Sequence, residues 1–183
     1  MSRARPLVGL GLIALLAGAA PAAAQDADAI TRSIRARTDS LQAGIGVTVL
    51  GVALQTRGVM PEFYANRNHQ PAWTVPGRMD ALLTAIRASR DDGLLPRDYL
   101  LGPLERLAPY ASTPAASPKL RADLDLLATE ALIRLAYSLR SGKTDPERVD
   151  SSWSIPPLAP PQHPAEFIAA LVASDSLAGA VAA

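Results

Sequence analysis

Apolar residues recur along most of the chain at helical spacing, and the pattern changes character only once. Ile30, Ile34, Thr38 and Leu41 share one stripe with charges between them, so a helix is expected over Asp28–Gln42, with Gly44 as its stop. From Ile45 to Leu54 the helical period is lost and Gly, Val, Thr and Leu take over. Such β-branched residues favour extended backbone, and Gly51 suits the turn of a small β-hairpin near residues 46–54. Val59–Asn66 reads as a short helix that tolerates Pro61 in its first turn. Met79, Leu82, Leu83 and Ile86 mark a helix that ends at Asp91-Asp92-Gly93, and a further short helix is expected around Leu104–Leu107.

The broadest stripe comes next. Leu120, Leu124, Leu127, Ala131, Leu135 and Leu139 lie on one face, widened by Ala128, Leu132 and Ala136. Ser117 can cap this helix, Pro118 fits its first position and Gly142 stops it. It should be the central helix. Lys143–Pro164 reads as irregular and proline-rich, and Ala165–Val172 opens a last helix. The fold class is therefore mainly α: a compact multi-helix domain with one small β-hairpin.

The first residues change that picture at one end. Arg3 and Arg5 precede an uncharged apolar stretch from Leu7 to Ala20, and Pro21 and Ala22-Ala23-Ala24 follow. That is the order of a cleaved export signal, and the stretch is short for a spanning helix, which needs about 20 apolar residues. The expected division is a signal peptide over 1–24 and one domain over 25–183, periplasmic after export, with no membrane anchor left. Losing Arg3 and Arg5 turns the formal net charge of +1 slightly negative. That leaves no excess of basic residues to displace counterions, so nucleic acid is not an expected partner.

Chemistry is constrained most by what the chain lacks. It has 0 cysteines, so no disulfide, thiolate nucleophile or thiolate metal site is available to it. No cofactor and no metal site is expected. His69 and His163 each lack a second ligand at helical spacing, and each sits near a proline in turn-like sequence. Asp91-Asp92 reads as a helix end and Asp123/Asp125 as a solvated helix face, because neighbouring carboxyls on a helix cannot converge on one sugar ring. Ser141-Gly142-Lys143-Thr144 imitates a phosphate loop, but Tyr137 stands where its first glycine belongs. A hydrolase site built from Glu130, Asp123 or His69 would need two of them to cluster. Trp73 and Trp153 offer flat faces for sugar rings, or else plug gaps between helices.

One segment goes beyond composition. Phe63-Tyr64-Ala65-Asn66-Arg67-Asn68-His69-Gln70-Pro71-Ala72-Trp73 resembles the F-Y-x-x-R-x-x-x-P-x-W signature of the scaffold domain in large periplasmic murein L,D-transpeptidases. Asp92-Gly93-Leu94-Leu95-Pro96-Arg97-Asp98-Tyr99 is similar to the same family's D-G-L-x-P-x-D-Y element. The long helix ending at Leu139-Arg140-Ser141-Gly142, then Lys143-Thr144-Asp145-Pro146 with Trp153, follow in the family's order. The resemblance spans roughly 59–172. It implies a scaffold module of peptidoglycan cross-linking and cell-wall remodelling, C-terminally truncated and without the family's cysteine-bearing catalytic domain. No catalytic residue can be carried over. The resemblance also implies peptidoglycan, or transpeptidase catalytic and peptidoglycan-binding modules, as partners, with Arg67, Trp73 and Trp153 as candidate contacts. The apolar Ala165–Ala183 tail is the surface expected to meet such modules. A stand-alone binding module for peptidoglycan or an envelope protein is the other reading.

Export is directly testable. Intact-mass analysis of periplasmic protein should show the loss of about residues 1–24. Recovery of the whole 19.2 kDa chain from the membrane fraction would refute cleavage.

Overall fold

The computed structural model describes residues 19–111, 113, 115–142, 161–174, 177 and 179. The elements run α1 (Ala19–Gln42), β1 (Thr48–Val49), β2 (Val52–Ala53), α2 (Val59–Asn66), α3 (Arg78–Ala88), a 3-10 turn (Pro96–Tyr99), α4 (Leu101–Leu107), a second 3-10 turn (Ala108–Tyr110), α5 (Pro118–Ser141) and α6 (Pro164–Ala173). The architecture is mainly helical with one small antiparallel hairpin, as the apolar pattern predicts. Among the described residues no helix is long and apolar enough to cross a membrane.

Helix α5 is the axis on which the other elements pack. Helices α1, α2, α3 and α4, strand β1 and both 3-10 turns contact it. Its start follows from Ser117, whose side-chain oxygen accepts the Leu120 N–H at 3.2 Å, with Pro118 in the first position. Leu124, Leu127, Ala128, Ala131, Leu132 and Leu135 are buried, as the stripe predicts. Ala122, Leu126 and Ile133, which lie off that stripe, are buried as well. The helix is therefore enclosed on nearly all sides over residues 122–133, and that enclosure determines the fate of its acids.

Helix α1 begins earlier than the stripe requires, at Ala19, because the alanine-rich run before Asp28 is a strong helix former. Ile30, Ile34, Thr38 and Leu41 are buried against α5, and Thr38 satisfies its hydroxyl on the Ile34 and Arg35 carbonyls at 3.2 and 3.0 Å. The hairpin pairs Thr48 with Ala53 and Val49 with Val52. Leu50 and Gly51 make its two-residue turn with φ of 49° and 81°, the positive-φ pair that matches strand twist. Helix α3 runs out through Ser89 into a terminal motif at Gly93 (φ 76°), where the Gly93 N–H reaches the Arg90 carbonyl and the Leu94 N–H reaches Ser89.

The C-terminal part corrects one expectation. Ala165, Ile168, Leu171, Val172 and Leu177 are buried, and α6 packs on α2. Arg78 donates to the Val172 carbonyl, and the Arg140 guanidinium lies 5.9 Å from the centre of the Phe167 ring. The described part of the Ala165–Ala183 tail thus spends Ile168, Leu171, Val172 and Leu177 inside the domain, while Ala169, Ala170 and Ala173 stay exposed. Residues 143–160, including Trp153 and the Lys143–Pro146 segment, lie outside the described residues.

Leu127 is 0% exposed at the middle of α5, so Leu127→Ala empties a volume that neighbours on every side define. A loss of about 2–5 kcal/mol in denaturant unfolding is expected. An unchanged midpoint would remove α5 from the centre of the core.

Candidate functional site

Because α5 is enclosed, its acids cannot face water. Asp123, Asp125 and Glu130 are 2%, 3% and 0% exposed, which corrects the reading of Asp123/Asp125 as a solvated face. A buried carboxyl group is costly unless donors satisfy it, and each of the three has recruited a different neighbour.

Asp125 holds the segment that carries the signature. Its two oxygens accept the Ala72 N–H at 2.9 Å, Oδ2 accepts the Trp73 N–H at 3.0 Å, and Oδ1 accepts the Tyr64 hydroxyl at 2.7 Å. One turn on, Thr129 Oγ1 accepts the Trp73 indole N–H at 2.9 Å and lies 2.8 Å from the Tyr64 oxygen. With the Tyr64 proton given to the carboxylate, Thr129 is left to donate to that oxygen or to the Asp125 carbonyl at 3.0 Å. Every donor aimed at Asp125 is matched, and a proton on Oδ1 would also find an acceptor in the Tyr64 oxygen, whose hydroxyl can turn to Thr129 Oγ1.

Arg67 sets the loop that feeds this hub. Its guanidinium donates to the Gln70 carbonyl at 2.7 Å and the Pro71 carbonyl at 2.9 Å, and lies 5.2 Å from the Phe63 ring centre. Phe63 in turn meets Tyr64 edge-on, with ring centres 5.0 Å apart. Asn68 and His69 take left-handed backbone (φ 54° and 56°), a conformation that costs non-glycine residues about 1–3 kcal/mol each. Holding that turn are the His69 N–H on the Tyr64 carbonyl at 2.7 Å and a 3.4 Å contact from His69 Nδ1 to Thr38.

Of the sequence-derived contact residues, Arg67 is half-buried and committed to backbone, and Trp73 is 4% exposed with its indole N–H paired. Trp153 lies outside the described residues. The three residues proposed for a hydrolase are not brought together by shared partners. Asp123 pairs with Arg37 of α1 and with Lys119, 2.9 Å away. Glu130 accepts the Gln55 N–H at 2.9 Å, the Thr56 hydroxyl at 2.6 Å and Arg134 at 2.7 Å, tying the hairpin's exit to α5. His69 faces Thr38. Among the described residues no group of three potential ligands could hold a metal ion.

An open groove adjoins the hub. A cavity of about 480 Å³ runs between α3 and α4, with Trp73, Met79 and Leu83 among its lining and Asp80, Arg87 and Glu105 as its charged residues. Trp73 thus belongs to the hub through its N–H groups and is also among the residues lining the groove.

Burial sets the electrostatics of the hub. It pushes the Tyr64 phenol well above 10.0, helped by the Asp125 charge. Burial also raises Asp125 above its ordinary value, against the opposing donors Ala72, Tyr64 and Trp73. For both groups the unfolded chain gives up its proton first. The contribution of each to stability is therefore full below its ordinary pKa and is lost as pH rises through the folded value. For Tyr64 that window opens above pH 10. Tyr64→Phe should lower stability at neutral pH by about 1.5–3 kcal/mol, the scale of a hydrogen bond to a charged group. The wild type should then lose up to about 1.4 kcal/mol more per pH unit above 10 than the variant does. Parallel alkaline stability curves, from urea unfolding at each pH, would show that Tyr64 is not held protonated.

No curated protein and no solved structure shows a significant match to the chain. Residues 59–183, from the first residue of α2 onward, match the family described as the scaffold domain. That span contains Tyr64, Arg67, Trp73, Asp125 and Thr129, so the hub is internal to the matched region. The chain belongs to the scaffold-domain family.

Proposed function

We propose that the chain is a non-catalytic scaffold module of an exported L,D-transpeptidase-like protein that serves peptidoglycan cross-linking and cell-wall remodelling. One observation carries the reading: the signature residues are spent on holding helices together. Tyr64, Arg67 and the Trp73 indole direct their polar atoms to Asp125, Thr129 and local carbonyls. Acyl transfer from a stem peptide needs an activated nucleophile, and a chain with 0 cysteines has no thiolate to supply. The module's part is then to position other modules, in the periplasm reached through the Arg3–Ala24 export signal.

The stand-alone binding module remains a second reading because of the α3–α4 groove, which a pure spacer has no need of. Two measurements separate the readings. The purified chain, incubated with tetrapeptide muropeptides, should yield no 3–3 cross-linked product, and in a pull-down it should retain a separately expressed L,D-transpeptidase catalytic domain. Product formed by the pure chain would overturn its non-catalytic role. Failure to retain the catalytic domain would leave the binding module as the function.

A further inference from the structure

We infer that the outer edge of strand β1 is a self-pairing edge, on which a second copy of this chain adds its own β1 in antiparallel fashion. The hairpin lies before residue 59, outside the span matched to the scaffold-domain family, so the pairing is independent of the function proposed for that module.

The hairpin's register decides which backbone groups are free. Leu50 and Gly51 form a two-residue turn, so Val49 and Val52 exchange hydrogen bonds across it, and Thr48 and Ala53 form the next, non-bonded pair. The alternation continues as it must, with the Leu54 N–H on the Val47 carbonyl at 2.9 Å. Side chains follow suit: Thr48 and Ala53 are exposed, whereas Val49 and Leu54 are buried. The N–H and C=O of Thr48 therefore point away from β2. Neither has a partner among the described residues, and the same holds for Gly46, two positions back. The two edges differ in this respect. On the β2 side the Ala53 carbonyl accepts Arg134 of α5 at 3.2 Å, and the Gln55 and Thr56 N–H groups that follow are taken by Glu130. On the β1 side Gly46, Thr48 and Leu50 are exposed.

Unpaired donors and acceptors on an uncharged edge are what strand addition needs. Natural edges are blunted by a lysine, a proline or an inward-pointing charge. Residues 43–54 hold no charged residue and no proline. Ile45 at 59% exposure and Leu50 at 39% stand at the two ends of the edge instead. Such an edge offers a charged partner nothing to pair with, and it does not repel its own copy. Its geometry is self-complementary. With a two-fold axis at Thr48, each Thr48 N–H donates to the other copy's Thr48 carbonyl, and Gly46 comes opposite the second copy's Leu50. The space where a Cβ on Gly46 would stand is open, which leaves room for that leucine. A few residues a side bury far less than the roughly 1,200–2,000 Å² of a stable interface, so the dimer is weak and builds up with concentration.

A chain with 0 cysteines makes the contact directly measurable. Across a hydrogen-bonded antiparallel pair the Cα atoms stand about 5.5 Å apart, a gap that a short bismaleimide spans. Thr48→Cys should therefore cross-link into a dimer at least about tenfold faster than Ala53→Cys, the exposed position opposite it on the closed edge. Sedimentation velocity of the purified chain should show a reversible shift from monomer towards dimer between about 10 µM and about 1 mM. Thr48→Lys sets two like charges at the axis and should abolish that shift, whereas Thr48→Val should keep it. Thr48 is exposed, so unchanged circular dichroism and thermal midpoints are expected for both variants and separate lost pairing from a lost hairpin. A monomer at every concentration would overturn self-pairing, as would equal cross-linking at positions 48 and 53. A dimer that Thr48→Lys leaves intact would put the contact on another face and overturn it too.

Discussion

The carboxyl group of Asp125, taken out of water at the centre of α5, is the constraint around which the molecule is organised. A charge in that position is tolerable only while all its donors are in place. The donors come from Tyr64 of α2 and from the backbone of Ala72 and Trp73 in the α2–α3 connection. Removing a partner from such a group typically costs about 3–5 kcal/mol, far more than the intact arrangement contributes over a well-packed apolar substitute. The hub therefore specifies geometry more than it adds stability. Asp123 and Glu130 extend the effect. Seven residues apart, they lie on one face of α5 and grip α1 and the hairpin exit, while Asp125 faces nearly the opposite way. Turning α5 by one residue would drive all three acids into apolar packing.

This arrangement divides the domain's polar chemistry into two kinds. Inside, the acids of α5 and their donors consume one another's polar atoms, while the buried Tyr99 hydroxyl has no hydrogen-bond partner among the described residues. At the α3–α4 groove, the charged groups of Asp80, Arg87 and Glu105 stand exposed to water. The two regions share the Trp73 side chain. Its indole N–H is anchored to Thr129, so the ring is held in place by the core.

Much of the scaffold was legible in the pattern of apolar positions, and what was not legible has a physical cause. Helix α2 falls on Val59–Asn66 as expected, because Met60, Phe63 and Tyr64 face inward and Pro61 sits where its missing N–H is harmless. The hairpin, the Ser117 cap and the Gly93 terminus follow equally from local rules. Asp123 and Asp125 read as a solvated face because an acid on an amphipathic helix normally marks the wet side. The corrective signal was present: Ala122, Leu126 and Ile133 lie off the main stripe, and a helix apolar on all sides leaves its charges only protein to face. Which neighbour each acid would grip could not be read, since those pairings depend on how distant segments cross. The groove was invisible for the same reason, being formed by two helices whose contact no local pattern records.

The distance along the chain between hub partners has a kinetic meaning. Trp73 and Asp125 are 52 positions apart, and Gln55 and Glu130 are 75 apart, and the packing of α1 on α5 and of α6 on α2 is also long-range. Each helix can form locally and quickly, but the polar grips exist only after long loops have closed, and closure entropy opposes that step until packing repays it. Until then the acids of α5 remain hydrated, and water held on them keeps the neighbouring apolar surfaces apart. Expelling that water and seating α2, the hairpin and α1 are thus coupled events, and a half-docked α5 is worse than either a free or a finished one.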